Sequence, residues 1–392
     1  MSFEIQVPSI LRIGGGSITE VEAVLRDLRC EHPLIVTDPF MRRSGLPDTV
    51  ALRLQQGRIR AGIFSETVSD PTTEVVNAGL QAFREGGHDS LISIGGGSPI
   101  DTAKAISMLA TNGGICRSYK VPNLISVAGV PHIAIPTTAG TGSEVTRFAV
   151  ILDSETDEKM LIAGSPLLPA ASIVDFELTM TMPARLTADT GTDSLTHAIE
   201  AYVSRRANPF SAAVALKAMR DIWRYLPIAF STPTDRQARE ILMTAATLAG
   251  MAFSNASVAL VHGMSRPIGA HFHVPHGLSN AMLLPAVTRF SAPAALARYA
   301  DCARAMGLVS STEPDDSAVE RLLTSLFERN HELQVPSPKA FGIDETKYHD
   351  LIPTMAQQAL ASGSPANNPR VPTAEEIEGL YQEIWDPVPL TV

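Results

Sequence analysis

Residues 90–101 read Ser90-Leu-Ile-Ser-Ile-Gly-Gly-Gly-Ser-Pro-Ile-Asp101, which is an apolar run, three glycines and the start of a helical pattern. The apolar run is typical of a strand covered on both faces, and Ser98 and Pro99 suit the N-cap and first turn of a helix. Glycines let the backbone approach a pyrophosphate, and the N–H groups at the helix start favour its charge. The stretch therefore predicts a strand, a phosphate-binding turn and a helix.

The same alternation of strands and helices continues on both sides of this stretch. Strands are predicted at 33–37, 63–68, 90–94, 132–135 and 171–175, and helices at 20–28, 73–85 and 101–110. Repetition of strand, helix and strand indicates a mostly parallel sheet. We predict an α/β nucleotide-binding domain over residues 1–182.

Helical patterns dominate from residue 183 onward. They cover residues 188–205, 211–226, 235–251, 277–290, 294–306, 317–332, 345–361 and 373–385. The last begins with Thr373-Ala-Glu-Glu376, the signature of a capping box. We predict an all-α domain over residues 183–392, which carries the metal and substrate sites, with a cleft between the two domains.

The composition limits the class of protein. The chain has 392 residues, a net charge of -10 and 45% hydrophobic residues. These values favour a two-domain globular protein over one that binds nucleic acid or an anionic membrane. Three widely spaced cysteines form no disulfide framework, and the N-terminus lacks the pattern of a signal peptide. We expect a cytoplasmic protein that acts on a small-molecule substrate.

A second glycine cluster competes for the phosphate role. Gly14-Gly-Gly-Ser17 also precedes a helical pattern, and Asp38 follows it at about the distance of a ribose-binding acid. The stretch before Gly14 contains Pro8 and makes a poor central strand. The residues alone do not choose between the clusters, and Asp38 suits either. A carboxylate there would accept from a ribose 2′-OH and repel a 2′-phosphate, which favours NAD over NADP.

One carboxylate and three imidazoles form a candidate metal site. Asp193 and His197 lie four residues apart in a predicted helix, so both side chains point to one face. His262 and His276 flank a stretch with glycine and proline, interpreted as a turn that brings two helix ends together. Nitrogen and oxygen ligands suit Fe(II), Zn(II) or Ni(II). An open coordination position would make such a metal catalytic. Glu200 is either a support for this site or a surface acid.

Three blocks of the chain resemble the iron-containing (group III) alcohol dehydrogenases. The blocks are residues 95–105, residues 136–146 and the Asp193, His197, His262 and His276 set. The resemblance covers nearly the whole chain. It implies a dehydroquinate synthase-like architecture, an iron cofactor, NAD(P)-dependent chemistry on alcohols or aldehydes, and a homodimer or higher homo-oligomer.

The resemblance also implies roles for single residues. Gly96, Gly97 and Ser98 would hold the pyrophosphate, and Gly14 to Gly16 would be a structural turn. The remaining cofactor-side residues would be Asp38, Asp101, Thr137, Thr138, Thr141 and Lys159, and the metal ligands would be Asp193, His197, His262 and His276.

Arg266 departs from the family pattern. Many members carry a histidine there, four residues beyond the His262 position, as a candidate proton relay. Arginine keeps its proton, but it can clamp a carboxylate, sulfonate or phosphate. Alternatively, Arg266 pairs with a nearby acid. His273 is then the candidate relay, and Phe148 is either a wall of the substrate pocket or a core residue.

We predict an oxidoreductase that acts on CH–OH groups: a metal-dependent, NAD-linked alcohol dehydrogenase or carbonyl reductase. Arg266 adds the hypothesis that the preferred substrate is a small alcohol or semialdehyde bearing an acid group. The alternatives are a maleylacetate reductase-like enzyme and a metalloenzyme similar to dehydroquinate synthase or glycerol dehydrogenase.

Overall fold

The structure is a computed structural model that describes residues 2–123, 125, 127–156 and 158–387. Contacts divide the chain into an α/β unit, Ile5–Met180, and a helical unit that begins at Thr181 and includes residues 2–4. The sequence analysis placed the boundary after residue 182 and kept the N-terminal residues in the first domain.

The α/β unit contains a parallel sheet, which confirms the predicted fold class. Its described strands are β1 (Ile10–Ile13), β2 (Pro33–Val36), β3 (Gly62–Phe64), β4 (Ser90–Gly95), β5 (His132–Pro136) and β8 (Ala171–Val174), in the order β1-β8-β5-β4-β2-β3. All the pairings in this sheet are parallel. The predicted strand 63–68 is shorter than expected and ends at Phe64. The end of the stretch before Gly14 forms β1, which begins after Pro8 and lies at the edge of the sheet, so it is not a central strand.

Helices cover both faces of the sheet. They are α1 (Val21–Asp27), α2 (Pro39–Ser44), α3 (Leu46–Gln56), α4 (Thr73–Glu85) and α5 (Gly97–Asn112). Alternate residues of each strand enter different cores. Leu34 and Leu91 pack in one core with residues of α4 and α5, and Ile35 and Ile92 pack in the other with residues of α1 and α3. This burial on both faces explains the continuous apolar runs.

A two-stranded antiparallel hairpin, β6 (Phe148–Asp153) and β7 (Glu158–Ala163), lies outside the main sheet. The sequence analysis did not predict it. Burial alternates along β6, so one face of this strand is covered more deeply than the other. Residues 148–152 form a continuous apolar run, so the sequence did contain a signal for this strand.

The helical unit follows the predicted all-α plan. Its described helices are α6 (Ala184–Val203), α7 (Pro209–Ser231), α8 (Arg236–Asn255), α9 (Leu260–Phe272), α10 (His276–Ser291), α11 (Leu296–Ala305), α12 (Asp315–Glu332), α13 (Pro338–Phe341), α14 (Glu345–Ala361) and α15 (Ala374–Trp385). The capping box at Thr373 and Glu376 is present, with both reciprocal hydrogen bonds.

The interpretation of residues 262–276 as a turn was wrong. Residues 260–272 form α9 despite Pro267 within it, and only residues 273–275 connect it to α10. Val261, Met264 and Ile268 recur at helical spacing and are buried. Burial of this apolar stripe outweighs the local cost of proline.

No single helix in the described part of the chain is long and apolar enough to cross a membrane. The α8 and α9 pair meets that test of length and composition only when the two helices are taken together, and they are bent by 104° at their break.

Candidate functional site

Three helices of the helical unit bring the four predicted metal ligands together. Asp193 and His197 are one turn apart on α6, His262 is in the first turn of α9, and His276 is the first residue of α10. The Oδ1 atom of Asp193 lies 3.8 Å from His197 Nε2, 3.4 Å from His262 Nε2 and 3.8 Å from His276 Nε2. Tetrahedral ligands at about 2.1 Å from a cation are roughly 3.4 Å from one another. The donor atoms and their distances from Asp193 Oδ1 therefore fit a divalent metal.

A glycine allows α10 to approach α6 at this point. A Cβ atom on Gly277 would collide with the carbonyl oxygen of Asp189 and would lie 3.3 Å from Cβ of Asp193. Without that side chain, the start of α10 packs directly on α6. His276, the preceding residue, is thereby placed opposite Asp193.

The ligand set is buried on one side and open on the other. The side chains of Asp193, His197 and His262 are almost completely buried, whereas that of His276 is 48% exposed. Ligand atoms of Asp193, His262 and His276 lie within 4.8 Å of one another. This arrangement gives a deep, polar ligand set that a cation can enter from the His276 side.

The charges around Asp193 keep it ionised. Burial by itself raises the pKa of this carboxyl, but His197, His276 and His262 together hold the pKa well below its usual value. A carboxylate that stays charged and lies among three imidazoles is suited to a cation.

Glu200 contacts the Nδ1 side of the His262 ring, opposite the Nε2 atom that faces Asp193. Its Oε2 atom lies 2.6 Å from His262 Nδ1 and accepts from the backbone N–H of Ala259, while Oε1 accepts from the backbone N–H of Val261. With Nδ1 donating to Glu200, the Nε2 lone pair of His262 points toward Asp193. Glu200 is 3% exposed, so it is a buried support and not a surface acid.

The carboxylate of Glu200 also acts on the charge of His262. Burial lowers the pKa of His262, but the charges of Glu200 and Asp193 outweigh this and raise it to about 9. The two carboxylates therefore favour positive charge at this imidazole, which would suit a cation bound beside it.

Asn280 also belongs to this site, and the sequence analysis missed it. It lies one turn after His276 on α10 and is fully buried. Its Nδ2 atom donates to Asp193 Oδ1 at 2.7 Å and lies 3.2 Å from His262 Nε2. The signal was present in the four-residue spacing from His276, which equals the spacing of Asp193 and His197.

The two candidates for substrate contact and proton transfer have different surroundings. Arg266 lies one turn beyond His262 on α9 and is half-buried. Burial lowers the pKa of its guanidinium, and the charge of Glu200 opposes this shift. His273 is exposed and ends α9 in a left-handed conformation, with φ of 55°. Phe148 lies in the α/β unit at the start of β6, where it is half-buried.

In the α/β unit, the turn after β4 is shaped by its three glycines. Gly95 has φ of 153°, and a Cβ on it would lie 2.5 Å from Pro99. A Cβ on Gly97 would lie 3.1 Å from Cγ2 of Thr141, and one on Gly96 would lie 3.5 Å from Oγ1 of Thr138. The glycines therefore pack against the threonine loop, and the β4–α5 turn keeps a surface of bare backbone.

The first glycine cluster is occupied by the protein itself. The backbone N–H groups of Gly16 and Ile18 donate to the two carboxylate oxygens of Asp175, both at 3.1 Å. Gly15 has no room for a side chain, because its Cβ would lie 2.7 Å from the ring of Phe176. An internal carboxylate thus fills the anion-binding position of this turn, whereas within the described residues no side chain caps α5.

The remaining cofactor-side residues have the following positions. Asp38 caps α2 by accepting from the N–H of Met41, and the N–H of Thr137 donates to the carbonyl of Gly95. Ser98 donates to the carbonyl of Ser69, and Lys159 pairs with Asp70 at 2.8 Å.

The contacts of Asp101 are structural. One carboxylate oxygen accepts from the hydroxyl of Ser143 at 2.6 Å, and the other accepts from the N–H of Val150 at 2.9 Å. The buried Lys104 ammonium lies 3.9 Å away. Asp101 joins α5 to β6, and its predicted place beside the dinucleotide has no support from these contacts.

The fold and the ligand set together define a class: a protein with a parallel α/β unit and a helical unit that carries a carboxylate–histidine cluster. Residues 8–176 match the family model described as iron-containing alcohol dehydrogenase, and residues 187–385 match the C-terminal model of the Fe-containing alcohol dehydrogenase family. The chain belongs to the iron-containing alcohol dehydrogenase family. It is an oxidoreductase that acts on CH–OH groups, as predicted.

Known relatives extend over nearly the full chain. The NAD-dependent methanol dehydrogenase of Bacillus methanolicus is 38% identical, with 95% of this chain and 97% of the relative covered. The NADPH-dependent butanol dehydrogenase of Clostridium saccharobutylicum is 35% identical, with 97% of each covered. The crystal structure of a 1,3-propanediol oxidoreductase superimposes with a TM-score of 0.94 at 35% identity, covering 98% of this chain and 100% of that one.

Two less similar structures bear on the substrate alternatives. A sulfoacetaldehyde reductase from Bifidobacterium kashiwanohense, solved with NAD+, has a TM-score of 0.89 at 25% identity and covers 99% of this chain and 100% of its own. A maleylacetate reductase from Agrobacterium tumefaciens has a TM-score of 0.82 at 28% identity and covers 99% of each. Proteins named for anionic substrates therefore share this fold.

Proposed function

We propose that this protein is a metal-dependent, NAD-linked alcohol dehydrogenase that also reduces the corresponding aldehydes or ketones. The observation that carries the proposal is the convergence of three histidine Nε2 atoms on Asp193 Oδ1 at 3.4 to 3.8 Å. A divalent metal supplies Lewis acidity, which lowers the pKa of an alcohol hydroxyl and polarises a carbonyl in the reverse direction. Iron is the metal we propose, on the family assignment; zinc and nickel suit the same donors.

Residues of the chain would bind the metal and the nucleotide and exchange the proton. Asp193, His197, His262 and His276 would hold the cation, and Glu200 keeps the Nε2 lone pair of His262 directed inward. The β4–α5 turn would hold the pyrophosphate of the nucleotide. The nicotinamide ring of the same nucleotide would accept the hydride. His273 is exposed and three residues from His276, so it can exchange protons with water.

The Asp38 carboxylate supports NAD as the preferred nucleotide. It lies at the start of α2, directly after β2, with one oxygen engaged by the N–H of Met41. A second carboxylate oxygen can accept from a ribose hydroxyl, and its charge disfavours a 2′-phosphate.

The proposed function is tested on iron-loaded protein with a panel of primary and secondary alcohols, run in parallel with NAD and NADP. We expect reduced nucleotide to form, with a higher kcat/KM for NAD. A panel that gives no reduced nucleotide with iron, zinc or nickel would rule the proposal out. A higher kcat/KM for NADP would contradict the role given to Asp38 and leave the reaction class intact.

Arg266 supports a substrate that carries an anionic group. In the described part of the chain, no acceptor forms a hydrogen bond or ion pair with its guanidinium, and both oxygens of Glu200 are engaged by His262 and backbone N–H groups. The charge of Glu200 acts on Arg266, but no hydrogen bond or ion pair joins these two side chains among the described residues. A half-buried, unpaired charge is costly, and a substrate carboxylate or sulfonate would relieve that cost.

A matched pair of substrates tests this preference. 4-Hydroxybutanoate and butane-1,4-diol share the reacting alcohol and differ in the distal group. We expect R266A to lower kcat/KM for the acid by about 10- to 100-fold, as for loss of a charged hydrogen bond, with a smaller change for the diol. The R266K variant keeps the charge but loses the planar fork, so its kcat/KM for the acid should lie between those of wild type and R266A. An equal loss on both substrates would refute the anionic preference.

A further inference from the structure

Asn280 makes contacts that no space-filling role requires. Its Nδ2 atom lies 2.7 Å from Asp193 Oδ1, 3.2 Å from His262 Nε2 and 3.3 Å from His276 Nε2. One amide nitrogen therefore faces ligand atoms from all three helices of the metal centre. The side chain is fully buried, and its position is fixed by the same helix that carries His276.

The hydrogen-bond capacities of these atoms assign their roles. An amide nitrogen has two N–H donors, and a carboxylate oxygen only accepts. Because His262 Nδ1 faces Glu200 at 2.6 Å, its Nε2 presents a lone pair on the side of Asn280. One N–H of Asn280 therefore bonds Asp193 Oδ1, and the amide lies beside the two histidine nitrogens, whose lone pairs the cation would use.

The Asn280 donor controls the orientation of the Asp193 carboxylate. The Oδ1 atom of Asp193 is the point on which the three histidines converge, and rotation of the carboxylate would move it away from them. A short hydrogen bond to Oδ1 opposes that rotation. The donor is also neutral, so it orients the carboxylate without adding a positive charge that would repel a cation.

We propose that Asn280 is a positioning residue of the metal centre, whose Nδ2–H group holds the Asp193 carboxylate in the orientation that binds the cation. The inference rests on the metal centre proposed above. Groups that hold a ligand in place commonly change metal affinity by about 10- to 100-fold when they are removed. Asn280 therefore acts through Asp193, and its effect is on affinity and coordination geometry.

Two variants separate this role from packing. N280A removes the donor and leaves a cavity, whereas N280L keeps a side chain branched at the same carbon and removes only the hydrogen bonds. N368A is the matched control, because Asn368 is equally buried in the helical unit but bonds Ser291 and Arg370 instead. If Asn280 only fills space, N280A should lose stability as N368A does, and N280L should keep wild-type metal affinity.

The measurement is Co(II) and Fe(II) affinity of the full-length chain, by competition with a metal indicator, together with the visible spectrum of the Co(II) form. We expect N280A and N280L to bind both metals about 10- to 100-fold more weakly and to shift the Co(II) bands, with N368A like wild type. Wild-type affinity and spectrum in N280L would overturn the inference and leave the metal centre standing. Wild-type protein that binds neither metal would overturn both.

Discussion

At the scale of single residues, Glu200 shows how one buried carboxylate serves two purposes. It accepts from two backbone N–H groups at the start of α9 and holds the ring of His262. The same contacts thus start a helix and orient a metal ligand. Each purpose can be measured separately, since one concerns stability and the other metal affinity.

We predict that E200Q weakens metal binding about 10- to 100-fold and destabilises the helical unit. Glutamine keeps one acceptor, but its NH2 group would face a backbone N–H, and the charge that stabilises the His262 imidazole is lost. An unsatisfied buried donor costs about 1 to 3 kcal/mol. Metal titration and urea unfolding report the two effects.

The control is E376Q in the capping box of α15, which makes the same chemical change in a helix cap. It should lower stability without changing metal affinity. Equal metal affinities of E200Q and wild type would show that Glu200 has only a structural purpose.

The site was partly predictable from residue types. Asp193 and His197 are recognisable because a four-residue spacing places both side chains on one helical face, whatever the tertiary structure. Asn280 was not recognised, since an asparagine in an apolar helix is more often a satisfied core residue and its partners lie 18 and 87 positions away. Glu200 was left open for the same reason.

At the scale of secondary-structure elements, the two glycine turns show why a motif alone is ambiguous. Both precede a helix, but in one of them the backbone N–H groups donate to the carboxylate of Asp175, which follows β8, far along the chain. Only the sheet order, which pairs β1 with β8, brings the two together. No local pattern contains this information.

We predict that G97A and D175A have opposite profiles. A methyl group on Gly97 would crowd Thr141 and the bare backbone of the β4–α5 turn, so NADH affinity should fall about 10- to 100-fold, the equivalent of one charged hydrogen bond. D175A removes two buried acceptors and should lower stability by about 1 to 3 kcal/mol without a change in NADH affinity. NADH fluorescence titration and urea unfolding measure both variants.

G379A is the control for adding a methyl group in a helix, because nothing lies within 4 Å of that position. NADH affinity should be unchanged in it. Wild-type NADH affinity in folded G97A would contradict the placement of the pyrophosphate in the β4–α5 turn.

The strand β5 begins with a buried titratable group. His132 is buried and its Nε2 lies 2.8 Å from the hydroxyl of Ser93. Burial, with a smaller contribution from Lys104, lowers the pKa of His132 to about 3. As the pH falls below about 6.5, the unfolded chain binds a proton there while the folded chain does not, so stability falls from about pH 6.5 down to about 3.

We predict that H132Q is less sensitive to acid than wild type. The glutamine amide can still contact Ser93 but does not titrate. Between pH 7 and pH 5, wild type should lose about 2 kcal/mol more unfolding free energy than H132Q, measured by urea titration at both pH values. Parallel losses in the two proteins would show that His132 does not contribute to acid sensitivity.

At the scale of the whole molecule, the candidate phosphate turn and the candidate metal ligands lie in different units. The bare-backbone turn that would bind the nucleotide belongs to the α/β unit, and the carboxylate–histidine set belongs to the helical unit. The change of pattern near residue 183 was sufficient to predict a parallel α/β part followed by a helical part. It could not predict α9, because its helical state depends on tertiary burial of Val261, Met264 and Ile268 and not on local preference.

The dependence of turnover on a cation held by Asp193 and the three histidines is the central claim. Metal-free protein is titrated anaerobically with Fe(II). NADH formation from an alcohol and NADH binding are measured in parallel at each step. We predict that turnover rises with bound iron and saturates at one ion per chain, that NADH binding is already present without iron, and that D193A shows neither iron binding nor turnover. Full turnover in metal-free protein, or in D193A, would contradict the account.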